Sequence, residues 1–304
     1  MSNRLIKIFI CLVFLSGKLF CQNDSLSLKK TKNRKIVLVS TSAALTAGSL
    51  VYLNQAWYQQ YNTGKFHLFN DNAEWLQMDK VGHIATTYQT SRLMMRAFDW
   101  AGFNKNQKLF IAPAIGFGYM AAIELMDGFS KGWGFSWGDM GSNVIGTAIA
   151  ITQEEKWGEQ RIQIKYSFSQ SGLAQYNPDL LGENFSNQIL KDYNGQTYWA
   201  SINPSSFLKK PNKFPKWLSV AFGYNAYGML GARYNAITVQ DEVGNVLFFE
   251  RERRFYLSVD VDLTRIKTKS KFLKSVFSVF NMLKFPAPAL QLSKKGARGY
   301  WVYM

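Results

Sequence analysis

The stretch Gln153-Glu154-Glu155-Lys156-Trp157-Gly158-Glu159-Gln160-Arg161-Ile162-Gln163-Ile164-Lys165-Tyr166-Ser167-Phe168 changes period near Glu159. Before it, apolar residues recur three and four apart. After it, Ile162, Ile164, Tyr166 and Phe168 alternate with Gln163, Lys165 and Ser167, the period-2 pattern of a half-buried strand. The same alternation returns in Leu218, Val220, Phe222 and Tyr224, with Met229 to Val239 as the expected partner strand. It is clearest in Phe255, Leu257, Val259, Val261 and Leu263 set against Tyr256, Ser258, Asp260, Asp262 and Thr264. The chain closes on Tyr300-Trp301-Val302-Tyr303-Met304, an alternating aromatic strand. These periods predict an α+β architecture, a helical bundle over residues 22–155 followed by an antiparallel β-sheet domain over 156–304. Alternating segments of about ten residues with an aromatic last strand also mark small outer-membrane barrels, so a barrel-like sheet is one form open to this half. Within it, Phe272, Val276, Val279 and Leu283 form a helical stripe over residues 271–284, with Lys271, Lys274 and Lys284 at its margins. That amphipathic helix suits either a membrane interface or one side of the sheet.

Upstream, the periodicity predicts helices over Asp79 to Trp100, Asn106 to Asp127 and Ser136 to Ile151. Gly102 is a stop signal for the first. Pro113 interrupts the second, whose Gly116 and Gly118 would let another helix approach closely. Ser136 and Asp139 fit a capping box for the third, with Asp in place of the usual Glu. Nearly all residues able to do chemistry lie on these helices. A period of 3.6 puts Asp79 and His83 on one face and Asp139 and Asn143 on one face, and sets Glu124 and Asp127 one turn apart. His83, Glu124, Asp127 and Asp139 are therefore the candidate catalytic residues, with Asp79, Lys80, Ser136, Asn143 and Gly146 in support. One imidazole among carboxylates is able to form an acid and base pair or to bind a divalent metal. His67 and His83 are the only histidines, so a metal would rest on carboxylates and be a hard or borderline cation; no other cofactor is indicated. The structural alternative is a buried network in which Lys80 pairs with Glu124 or Asp127 and His83 donates to a carboxylate, fixing helix register. Sequence signatures of serine hydrolase elbows, phosphate-cradling loops and zinc proteases are absent.

The first 21 residues read as an export signal, with Arg4 and Lys7 ahead of the apolar run Ile8 to Leu15 and a cut after Cys21. A lipoprotein cut before Cys21 is the alternative, against which Phe20 stands where a small residue is wanted. Both cysteines, Cys11 and Cys21, fall within the signal, so the mature chain is expected to have neither disulfides nor thiol chemistry. Loss of Arg4, Lys7 and Lys18 lowers the formal charge from +16 to +13. On an exported protein that charge favours a membrane surface and its anionic lipids over nucleic acid. Ile36 to Leu53 carries no charge, but its Ser and Thr content points to a buried helix ahead of a membrane span. Trp57 to Phe69 reads as an aromatic loop or broken helix suited to an interface.

Three blocks in order, Asp79-Lys80-x-x-His83, Glu124-x-x-Asp127 and Gly134-Phe135-Ser136-x-x-Asp139-x-x-x-Asn143-x-x-Gly146, resemble the YfiM-like family, a domain of unknown function described as predicted periplasmic lipoproteins. The resemblance covers about Trp75 to Ile151. A looser likeness is to VanZ-like membrane proteins, which also open one helix with Lys and His and carry Asp-x-x-x-Asn on a later one. The resemblance implies an exported protein, periplasmic or attached to the outer membrane, and brings no activity with it. The expected function is a membrane-associated structural or interaction module of the cell envelope. The alternative is an enzyme acting on a lipid or cell-wall headgroup.

Overall fold

The computed structural model describes residues 28–55, 64–209, 213–235, 238–240 and 243–303. The export signal, the anchor question at Cys21 and residues 57–63 of the aromatic segment lie outside the described residues. Four long helices come first: α1 (Leu28–Leu53), α2 (Met78–Ala101), α3 (Ala112–Gly128) and α4 (Trp137–Trp157). A π-helical turn, Gln107–Ile111, leads without a break into α3, two residues ahead of Pro113.

Helix α2 is the centre of the bundle and packs on both α3 and α4. Its buried residues include Met78, Tyr88, Met95 and Phe98, but also Thr87, Gln89 and Arg92. A Cβ at Gly146 would lie 2.7 Å from Thr87 Oγ1 and nearer still to the Ile84 carbonyl, so α4 crosses α2 at a separation that only glycine allows. Gly116 does the same for α3 against Thr90 and Ser91, whereas Gly118 faces open space and brings no helix close.

The expectation of a buried helix over Ile36 to Leu53 is not met. The span Thr31–Leu53 of α1 is apolar and long enough to cross a membrane, and none of it is buried. Near its start Arg34 donates to the Trp100 carbonyl at 3.2 Å and Leu38 packs against the bundle core, while Leu53 at its end borders a cavity beside α2 and α3. An evenly apolar helix needs a cover but does not specify whether protein or lipid supplies it.

After β1 (Ile162–Phe168) come two short helices, α5 (Pro178–Leu181) and α6 (Phe185–Lys191). Then follow β2 (Gln196–Ile202), β3 (Leu218–Tyr227), the small ribbon β4 (Val239–Gln240) and β5 (Val246–Leu247), and β6 (Glu252–Val261). Helix α7 (Lys271–Phe280), β7 (Ala287–Ser293) and β8 (Gly296–Tyr303) complete the chain. The main sheet is antiparallel in the order β1-β2-β3-β6-β7-β8. Among the described residues of Met229 to Val239, only Val239 lies in a strand, the short one that pairs with Val246–Leu247, and β3 pairs with β2 and β6. The helical stripe ends at Phe280, and Lys284 is buried, donating to the carbonyls of Val259 and Phe285 at 2.8 and 2.7 Å.

The sheet is curled but is not a closed barrel. Strands stand about 4.8 Å apart, so β1 and β6, three steps apart, would be about 14 Å from each other in a flat sheet. Yet Lys165 on β1 and Asp260 on β6 form an ion pair at 2.7 Å with neither side chain exposed. At one end the segment after α7 bridges back to β1, with Tyr166 N–H donating to Met282 O and Lys284 N–H donating to Tyr166 O, at 2.9 and 2.8 Å.

Curling decides which face is inside, and it is the polar one. Gln163, Lys165, Ser167, Ser201, Ser219, Ser258 and Asp260 are buried around Trp199 and Tyr256. Hydrogen bonds fill this interior: Ser201 Oγ donates to Asp260 at 2.6 Å, Gln163 to Asp262 at 2.9 Å, and Trp199 Nε1 to Ser167 at 2.9 Å. The apolar residues form cross-strand rows on the outer face. One row runs Ile164, Ala200, Phe222, Leu257, Leu290, and a second runs Tyr166, Tyr198, Tyr224, Phe255, Leu292. Helix α2 packs over the β1 and β2 ends of these rows. At Phe222 on β3 and over β6 and β7 they are uncovered, with Phe222 52%, Phe255 52% and Leu257 44% exposed, whereas Tyr224 on β3 is half-buried against Met78 and Met229.

Candidate functional site

The site begins with a backbone in an unusual state. Trp75, Leu76 and Gln77 have φ of 47, 50 and 64°, three successive left-handed residues, none of them glycine. Each costs about 1–2 kcal/mol, and such strain persists only where surrounding structure fixes it. The sheet side does so here. The Tyr224 hydroxyl donates to the Leu76 carbonyl, and Trp75 N–H donates to Ala232 O at 2.7 Å. Gln77 is held between the Asn72 carbonyl at 2.8 Å and Arg253 at 2.5 Å. The turn feeds directly into α2 and aims its first residues, Asp79 and Lys80, at the start of α4.

Lys80 Nζ lies 2.7 Å from Asp71, 3.1 Å from Asp79 and 2.8 Å from Asp139. The expected partners, Glu124 and Asp127, are not among these; the ammonium belongs instead to three aspartates from a loop and two helices. His83 is held at one nitrogen, Nδ1, by Asn143 Oδ1 at 3.1 Å. With a carbonyl oxygen as that partner, Nδ1 is the donor of this bond. Nε2 faces Asp79 Oδ1 at 3.8 Å and Asp139 Oδ1 at 3.7 Å, both beyond hydrogen-bond reach. Tyr193, from the loop before β2, donates to Asp79 Oδ1 at 2.6 Å.

Half of the expected capping box forms. Asp139 N–H donates to Ser136 Oγ at 3.2 Å, but Ser136 N–H is taken by Glu124 Oε1 at 2.6 Å. This leaves the Asp139 carboxylate free to face Lys80. Ser136 Oγ in turn donates to Asp71 at 2.6 Å. Glu124 Oε2 and Asn143 Nδ2 are buried without a hydrogen-bond partner.

A cavity of about 500 Å³ opens between α2, α3 and the β1–β2 end of the sheet. Asp79, His83, Glu124, Asp127 and Asp139 all border it, together with apolar Leu93, Met120 and Ile123. All four candidate catalytic residues thus meet at one space. Lys80, Ser136, Asn143 and Gly146 stand behind them and do not line it. Asp71, Tyr193 and Tyr198 also border this cavity and were not foreseen from the sequence.

The carboxylates divide by environment. Burial, then repulsion from Asp79 and a hydrogen bond with Asp71, push Asp139 up to about 10 in spite of Lys80. Burial pushes Glu124 up to about 8, with Asp127, Asp79 and Asp71 adding to it against the Ser136 N–H. For Asp79 burial acts upward, but His83 and Lys80 and the hydrogen bonds from Tyr193 and Lys80 prevail and hold it below the ordinary value. One cluster therefore carries protonated and ionised carboxyl groups side by side near neutrality.

Glu124 gives a test with a definite sign. Its pKa is higher folded than unfolded, so its contribution to stability is fully present below about pH 4.5 and is lost as pH rises to about 8. Glu124→Gln does not titrate. The variant is expected to gain on the wild type as pH rises from 5 to 8.5, by several degrees in Tm. Melting curves at the two pH values check this; a gap that is constant or closes with rising pH contradicts it.

Residues 67–154 match the family described as predicted periplasmic lipoprotein (DUF2279). The match agrees with the YfiM-like resemblance and with an exported envelope protein; it contains α2, α3 and most of α4 with all the candidate residues, and leaves the sheet outside. Neither a curated protein nor a solved structure matches the chain.

Proposed function

We propose that this envelope protein is seated on or in a membrane by the outer face of its sheet and by α1, and that it serves there as a structural or interaction module. The observation that carries this reading is the inverted polarity of the sheet. Ions and amides fill the enclosed side, while Phe222, Phe255, Leu257, Val259, Leu290 and Leu292 form a continuous uncovered patch on neighbouring strands. Soluble monomers rarely leave such a patch to water, and apolar-out, polar-in alternation is the arrangement of membrane-facing sheets. The uncovered apolar surface of α1 offers a second contact. The full chain is expected to pellet with membranes and to resist both high salt and alkaline carbonate. Release by salt alone would show that only the basic charge attaches it, and would contradict the reading.

A second reading, an enzyme acting on a lipid or cell-wall headgroup, is favoured by the cavity. Its walls are apolar along Leu93, Met120 and Ile123, and one end holds His83, Asp79, Asp139 and Glu124. An amphipathic molecule matches that division, with its headgroup at the cluster. There, protonated Glu124 or Asp139 would serve as acid and ionised Asp79 as base. Turnover of lipid headgroup esters by protein in vesicles, lost in His83→Gln, tests it; no turnover by the wild type sinks it.

A further inference from the structure

We infer that Asp79, His83 and Asp139 form a divalent-cation site of the zinc class at the polar end of the cavity. One ligand atom from each lies within 4.8 Å of the others. His83 Nε2 stands 3.8 and 3.7 Å from the two carboxylate oxygens. That is too long for hydrogen bonds, and a few tenths of an ångström beyond the spacing of ligands about 2.0–2.1 Å from a tetrahedral ion.

The surroundings are those of a metal histidine. Asn143 Oδ1 accepts from Nδ1 at 3.1 Å and turns Nε2 toward the carboxylates. Tyr193 donates to Asp79 at 2.6 Å and fixes that carboxylate. Partners of this kind orient ligands and set their basicity. Asp71, Asp79 and Asp139 gather around one ammonium, that of Lys80. Independently of these groups, Glu124 Oε2 is buried without a partner on the same cavity, where Glu124 is 1% exposed. A carboxylate oxygen in that position suits a metal-bound water, and the open side of the ion would face the apolar walls. One nitrogen and two oxygen ligands suit zinc or cobalt above calcium or magnesium.

The site depends on the cluster and not on the membrane reading, and its test needs no turnover. Purified full-length protein in detergent, stripped with chelator, is titrated with cobalt chloride while visible absorption and bound metal are measured. The expected result is one cobalt per chain, displaced by one equivalent of zinc, with Tm raised by several degrees at saturation. His83→Gln should abolish binding. Tyr193→Phe, which keeps the ring packed on Trp75, should fold as the wild type and bind about 10–100-fold more weakly. If His83→Gln fails to fold, the Tyr193→Phe affinity carries the test. Absence of saturable one-to-one cobalt binding in the wild type, or binding unchanged in both variants, overturns the site and leaves Lys80 as the sole counter-charge of a structural network. Failure of the enzyme reading would appear in turnover and leave cobalt binding intact.

Discussion

Leu257→Arg is expected to destabilise the protein in lipid vesicles by about 2–4 kcal/mol, the cost of a guanidinium on the lipid face of a membrane strand. Leu257 lies at the centre of the uncovered patch, opposite Phe222 on β3 and Leu290 on β7. If water faced this position, the same change at a residue 44% exposed would move stability by no more than about 0.5 kcal/mol. The two environments thus differ by a factor of four or more in the size of the effect. Urea unfolding of vesicle-bound wild type and variant reads it directly. Ser258→Arg, one residue on, points to the packed interior and is expected to fail in vesicles and detergent alike.

Lys165→Ala is expected to cost about 3–5 kcal/mol, because it removes the ion-pair partner of a fully buried Asp260. The pair is fully enclosed, and Lys165 also donates to Val261 O at 2.9 Å and to Asn281 at 3.2 Å. Asp260 also accepts from Ser201 at 2.6 Å and from Phe285 N–H at 3.0 Å. These contacts join β1, β2, β6 and the segment after α7, so the pair fastens the curl of the sheet. The double change Lys165→Met with Asp260→Leu removes both charges and should recover much of the loss. Chemical denaturation of the three variants decides it; a single variant within 1 kcal/mol of wild type would mean that water reaches the interior.

The change from helix to strand near Glu159 was legible because the two structures have different periods, and α4 and β1 lie on either side of it. The orientation of the strands was not legible in the same way. A period of 2 states that Gln163, Lys165 and Ser167 share a face, but not whether that face meets water or a closed interior. Charged residues suggest the outside; the curl that pairs Lys165 with Asp260, 95 residues apart in sequence, puts them inside. The site was legible to a similar degree. Helical spacing brought Asp79 to His83 and Asp139 to Asn143. It could not supply Asp71 or Tyr193, which come from loops without period, nor anticipate that Glu124 would take the Ser136 N–H and release Asp139 to Lys80.

If the protein is seated in a membrane as proposed, the outer face of the sheet lies against lipid. A cysteine scan from Phe255 to Val259 in vesicles, with each site spin-labelled and probed by a lipid-soluble and a water-soluble relaxant, measures it strand position by strand position. The expected result is a period of 2, with labels at Phe255, Leu257 and Val259 relaxed by the lipid-soluble agent and those at Tyr256 and Ser258 shielded from both. Relaxation of the three outer labels by the water-soluble agent would contradict it.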